Sequence, residues 1–204
     1  MQPSLERTTA GEPVLIWRHP APVRVVSSAS VGGGFGVADW VVNVEVDDSY
    51  RRTDLEAHVA EVAADRDLAG GGVGLLTAAR VERYGAATED GVDVHATVGL
   101  SVPTWAAAVA EFEPQAPGTV NIVVDLPVAC AAAALVNMVM TITEAKTQAL
   151  VEAGVPGTGT ASDAVVVTCP IAGEPVMFGG PRSQWGQRVA RSVHAAVASR
   201  IGDA

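Results

Sequence analysis

The strongest constraint on the fold is the run from Leu126 to Glu152. After Pro127 it contains no glycine or proline, and as far as Ile142 it has hardly a polar residue. This pattern predicts one long helix. Asp125 stands at its cap, and Pro127 lies in its first turn, where a missing N–H costs nothing. The first four turns are apolar on nearly every face, which marks a central, buried helix. Val128–Ile142 is short for a membrane span and contains Asn137, so burial in protein is expected. At about 100° per residue, Glu144 and Lys146 point to opposite sides of such a helix. Glu144 shares its stripe with Met140 and Asn137.

Around this helix the sequence reads as hairpins. Val14–Trp17 is a short apolar run ended by His19-Pro20. Val23–Ser28 and Trp40–Val46 read as strands joined by the glycine-rich Ser30–Gly36, an open hairpin. Asp54–Asp67 fits a helix, with Leu55, Val59 and Val62 at helical spacing and Thr53 or Asp54 as cap. Val73–Ala79 and Val92–Leu100 read as strands, with residues 80–91 joining them. His95, in the middle of the second, reads as a structural imidazole. Pro103–Val109 fits a short helix leading to a mobile loop with Pro114 and Pro117. Gly118–Asp125 is a strand with a polar tip at Thr119 and Asn121, and Ala164–Thr168 is another. A last helix spans Gln184–Ile201, with Val189, Val193, Ala196 and Val197 inward. No long linker divides the chain. The expectation is a single α+β domain over residues 14–204, after a flexible segment over 1–13. Its mixed, largely antiparallel sheet is layered with the long buried helix and the C-terminal helix.

Composition excludes several classes. Of 204 residues, 49% are hydrophobic but only 4% aromatic, so Val, Ala and Leu must build the core. A formal charge of -10 argues against nucleic acid and anionic membrane surfaces as partners. Cys130 and Cys169 lie in apolar stretches and form no CxxC pair, which suits buried free thiols. The polar Met1–Pro13 has no apolar signal core, and a cytoplasmic protein is expected. There is no GxxxxGK[ST], HExxH or GxSxG motif, and the four histidines are isolated in sequence. No metal site is expected.

Chemistry concentrates after the long helix. Gly157-Thr158-Gly159-Thr160-Ala161-Ser162-Asp163 places three hydroxyls and a carboxylate in the six residues from Thr158. Glycine lets a substrate approach the backbone closely, and a loop held between rigid elements suits a site. With Glu144 and Lys146 it forms a hydroxyl–carboxylate–lysine set fit for acyl transfer. Backbone amides around Gly157–Thr160, and the side chain of Asn43 or Asn121, can serve an oxyanion. The same residues read equally well as a turn closed by Ser162 and Asp163 before the strand.

Several segments together resemble the adenosylcobinamide amidohydrolases of corrinoid salvage. They are Ser27-Ser28 with Gly32–Gly34, Val41-Val42-Asn43, Val73–Ala79, Thr97–Leu100, Gly118–Ile122, Thr143-Glu144-Ala145-Lys146, Thr158–Asp163 and Gly179-Gly180-Pro181. Ser162 stands where that family is expected to carry threonine. The resemblance implies cleavage of the amide joining the corrin propionyl arm to aminopropanol, giving adenosylcobyric acid. No cofactor is expected beyond the cobalt of the substrate. In this reading Asp163 serves as base or orienter of water, and Thr158 or Thr160 binds the amide. Glu144 or Lys146 assists the leaving amine, and Ser162 or Thr160 is the candidate for a covalent route. Gly159, Asn43, Asn121, Thr119, Gly33 and Gly34 complete the expected binding set, with the glycines of 32–36 packed on the flat corrinoid. The alternative is a corrinoid-binding protein without hydrolysis. A homo-oligomer is compatible with either.

Overall fold

The structure is a computed structural model and describes residues 1–47, 49–109 and 118–202. Its centre is a long strand, β2 (Pro13–Ser27), which takes in both of the apolar runs expected to be separate. His19–Pro22 interrupt it as a bulge, because Pro20 and Pro22 have no N–H to donate to a ladder. Beyond the bulge the strand resumes its pairing with β3 (Gly34–Glu45), the antiparallel partner expected. Before the bulge it also pairs β1 (Ser4–Arg7), so a strand occupies part of the expected flexible segment over 1–13.

α1 (Leu55–Asp65) follows, then β4 (Gly72–Thr77), β5 (Gly85–Glu89), β6 (Val92–Val98) and β7 (Val120–Asp125). α2 (Ala132–Glu152), β8 (Ala164–Pro170) and α3 (Gly186–Ile201) complete the domain. The strands form one mixed sheet in the order β4-β3-β2-β8-β7-β6-β5, with β1 off this path. The β3–β4 and β7–β8 pairs are parallel and the others antiparallel. β4 and β6 are not neighbours. The residues between them include β5, which forms a hairpin with β6. Pro103–Val109 makes turns and a bridge from Thr104 to Gly159, not a helix, and the expected loop at Pro114 and Pro117 lies outside the described residues.

The sheet curls until β4 and β3, at one end, meet β7 and β6. Asn121 on β7 donates to the Leu76 carbonyl on β4 (3.0 Å) and to Asn43 Oδ1 on β3 (3.0 Å). Asn43 in turn donates to Thr97 Oγ1 on β6 (3.0 Å). The concave face buries Leu15, Trp17, Val41, Leu75, Val123 and Val166 against one another. Outside, α1 covers Val14, Ile16, Val42 and Val44, while α2 and α3 cover the β6–β7–β8 half. Alternation along β2 sends Leu15 and Trp17 inward and Val14 and Ile16 to α1, as a strand with two covered faces requires.

α2 corrects the sequence expectation in two respects. It begins at Ala132, because Ala131 N–H bonds the Val176 carbonyl and holds the preceding segment extended. Asp125 therefore ends β7, taking a hydrogen bond from Thr168 Oγ1 (2.6 Å), and does not cap the helix. Nor is α2 central. It lies on the outer face of the sheet, with Leu135, Met138 and Ile142 buried and Val136 and Met140 about half exposed. The alanines and the mixture of Val and Met hid which side faced the sheet.

Candidate active site

The loop between α2 and β8 is built around an ion pair. Lys146, 7% exposed, donates to Asp163 Oδ2 at 2.5 Å. Asp163 Oδ1 accepts the Val120 N–H (2.9 Å), the Thr160 N–H (3.2 Å) and lies 2.5 Å from Thr160 Oγ1. A carboxylate with this many donors fastens the loop to both α2 and β7. Gly159 lets this happen: a Cβ there would overlap both Asp163 Oδ2 and Lys146 Nζ. Thr104 N–H donates to the Gly159 carbonyl, and Thr158 N–H to the Thr104 carbonyl, both at 2.8 Å.

Two hollows flank this pair. The first, about 450 Å³, opens where β2, β3 and β4 end and β7 and β8 begin. Ser28, Ser30, Thr77, Thr119, Asn121, Ser162 and Asp163 supply its polar lining, and Tyr50, Leu75 and Leu76 much of its apolar wall. The second, about 420 Å³, lies across the loop between Thr104, Thr143, Lys146, Thr147, Thr158 and Thr160. Ala161 and Asp163 belong to both.

The expected residues divide by position. Ser162 Oγ lies 2.8 Å from Thr119 Oγ1 and reaches the Gly118 carbonyl at 3.2 Å, at the wall of the first cavity. Asn121 lines the same cavity. Its orientation is fixed by its two acceptors, which leaves Oδ1 a buried acceptor with no partner among the described residues. Such a group costs about 1–3 kcal/mol and calls for an explanation, a ligand donor being one. Asn43 is 1% exposed and stands behind Asn121, supporting it without lining the cavity. Thr160 Oγ1 also reaches the Gly118 carbonyl (2.6 Å), and Thr158 Oγ1 accepts from Ala106 N–H (3.0 Å), so both hydroxyls brace the loop.

Three of the expected residues, Glu144, Gly33 and Gly34, lie away from both hollows. Glu144 lies on the exposed side of α2 and lines neither hollow, since the half turn that buries Lys146 carries it outward. Gly33 and Gly34 line neither hollow either; Gly33 is needed because a Cβ would strike the Ala29 carbonyl. Gly179 is likewise structural, its carbonyl accepting from Thr141 Oγ1 (2.9 Å) on α2. His95 packs against Trp17 and Tyr84 on the concave face. Burial pushes its imidazole down to about 4. Among the described residues, no group of three His, Cys, Asp or Glu side chains is placed to hold a metal ion, and no helix is long and apolar enough to cross a membrane.

Sequence reasoning missed Tyr50, Thr77 and Ser28. Thr77 carried a signal, a hydroxyl ending the apolar run Val73–Leu76. Tyr50 carried none, because most of the cavity wall that it joins is remote in sequence.

The family model described as adenosylcobinamide amidohydrolase matches residues 2–203. A protein of that name from Methanosarcina mazei is 27% identical over 175 residues, covering 81% of this chain and 84% of its own length. Another from Halobacterium salinarum is 32% identical over 183 residues, covering 85% of this chain and 78% of its own. With a match that runs through both halves of the curled sheet and the loop between them, the chain belongs to the adenosylcobinamide amidohydrolase family.

Proposed function

We propose that this chain hydrolyses adenosylcobinamide at the amide between the corrin propionyl arm and aminopropanol, yielding adenosylcobyric acid for corrinoid salvage. The observation that carries the reading is the first cavity, a pocket of hydroxyls and amides at the wall held by Lys146 and Asp163 in a chain of this family. Its 450 Å³ suits an amide-bearing arm and is far smaller than the whole substrate, so the macrocycle stays at the rim. Asn121 and the Ser162–Thr119 hydroxyl pair supply the polar contacts that orient the arm. Asp163 acts as the anchor of the loop: both its oxygens are taken up by Lys146, the Val120 N–H and Thr160, a poor arrangement for a base that must collect a proton. Lys146 is committed to Asp163. The chemistry uses water and side chains, with no cofactor beyond the cobalt carried by the substrate.

Incubation of the pure protein with adenosylcobinamide, followed by mass spectrometry, tests this directly. Adenosylcobyric acid and aminopropanol in equal amounts support it. Tight binding with no aminopropanol released overturns it in favour of a corrinoid carrier. Rapid quenching separates water attack from a covalent route. A mass increase on the peptide carrying Ser162 would require the latter, and Ser162→Ala would then lose at least about 100-fold in kcat.

A further inference from the structure

Tyr50 faces the first cavity from the loop after β3. Its hydroxyl lies 2.8 Å from His58 Nδ1 on α1. His58 is 3% exposed, and its Nε2 lies 3.2 Å from Glu12 Oε1 at the foot of β2. The tyrosine and histidine rings stack at 5.4 Å. Glu12 and His58 both line a separate hollow of about 260 Å³, with Arg52, Glu61 and Asp65 around it. Hydroxyl, imidazole and carboxylate thus form one chain from the cavity through the protein to another surface. With Nε2–H donating to Glu12, Nδ1 is the acceptor for the Tyr50 proton. The other charges near His58 are Asp54 and Glu61, both bonded to Arg52, while Glu12 is also contacted by Thr8 Oγ1. Burial raises the Tyr50 phenol above its ordinary pKa, so it rests protonated.

We propose that Tyr50 is the acid–base residue of the hydrolysis, with His58 and Glu12 as positioning residues that store its proton. The proposal rests on the reading that the cavity cleaves an amide. The attacking water gives a proton to the Tyr50 oxygen as Tyr50 passes its own to His58 Nδ1. The water oxygen forms the new bond to the amide carbon, and Glu12 stabilises the imidazolium. On collapse, His58 returns its proton to Tyr50, Tyr50 protonates the amide nitrogen, and the C–N bond breaks. The products are the carboxylic acid and the free amine, with the relay back in its starting state. No oxidant or second substrate is needed.

The test measures kcat, KM and the pH profile of kcat/KM on adenosylcobinamide for Tyr50→Phe, His58→Gln and Glu12→Gln, with thermal unfolding as the check on folding. Tyr50→Phe is expected to lower kcat by at least about 100-fold with KM changed less than about threefold. His58→Gln is expected to lose similar activity and flatten the acid limb. Glu12→Gln is expected to lower kcat with KM little changed, because the imidazolium loses its counter-charge. Should His58→Gln fail to fold, Tyr50→Phe, which removes one oxygen, decides alone. A Tyr50→Phe enzyme within about threefold of wild-type kcat overturns the relay and leaves the cleavage reading intact. An active His58→Gln enzyme with an unchanged pH profile overturns it as well. Wild-type protein that releases no product overturns both.

Discussion

Gly159 is the position where one added methyl group does most damage. Its missing Cβ is the space in which Lys146 and Asp163 meet. Gly159→Ala is expected to separate the pair and loosen the loop, lowering activity at least about tenfold, with reduced substrate affinity read from KM. Lys146→Met keeps the length of the side chain and removes the charge. It leaves Asp163 uncompensated at a site where both groups are largely buried, and is expected to cost about 3 kcal/mol in urea unfolding. That Lys146, Asp163, Ser162, Thr119 and Asn121 lie at or beside one polar hollow could be read from the sequence, because polar residues at the ends of apolar strands and within an apolar helix stripe need a reason to be there. The position of Glu144, away from both hollows, was not legible. Its neighbourhood depends on how far α2 is rotated on the sheet, and an alanine-rich helix does not encode that rotation clearly. Tyr50 was invisible because residues 12, 50 and 58 become a set only after β2 and α1 have packed.

At the scale of elements, the strands with β-branched runs were readable and β5 was not. Gly85–Glu89 has little strand propensity and exists through its pairing with β6 and its contact with α3. The two apolar runs of β2 read separately because His19–Pro22 looks like a turn, and only the ladders on either side reveal a bulge within one strand. β6 carries a pH dependence of its own. With His95 held near 4 in the fold and near 6.5 when unfolded, the unfolded chain binds the extra proton between those values. Stability is therefore expected to fall by about 3 kcal/mol as pH drops from 6.5 towards 4, and to be free of this contribution above 6.5. Unfolding midpoints across that range check it. A His95→Asn variant is expected to show a shallower slope, whatever its absolute stability.

At the scale of the whole molecule, the Asn43–Asn121 link closes the curled sheet upon itself. Asn121→Ala removes its bonds to Asn43 and to Leu76, and is expected to cost about 2 kcal/mol in urea unfolding. The class of fold, hairpins layered with helices, was legible from the spacing of apolar runs. The curl was not, since contacts between strands that are not neighbours in a sheet leave no local pattern. That curl decides how the protein meets its ligand. The first cavity takes its walls from segments scattered between Ser28 and Ala164, so no fragment of the chain possesses it. Occupancy is therefore a property of the completed fold. A bound arm is expected to raise the midpoint of global unfolding with its concentration, and to slow amide exchange in β4 and β7 by the same factor, as two shores joined by a bridge rise or fall together.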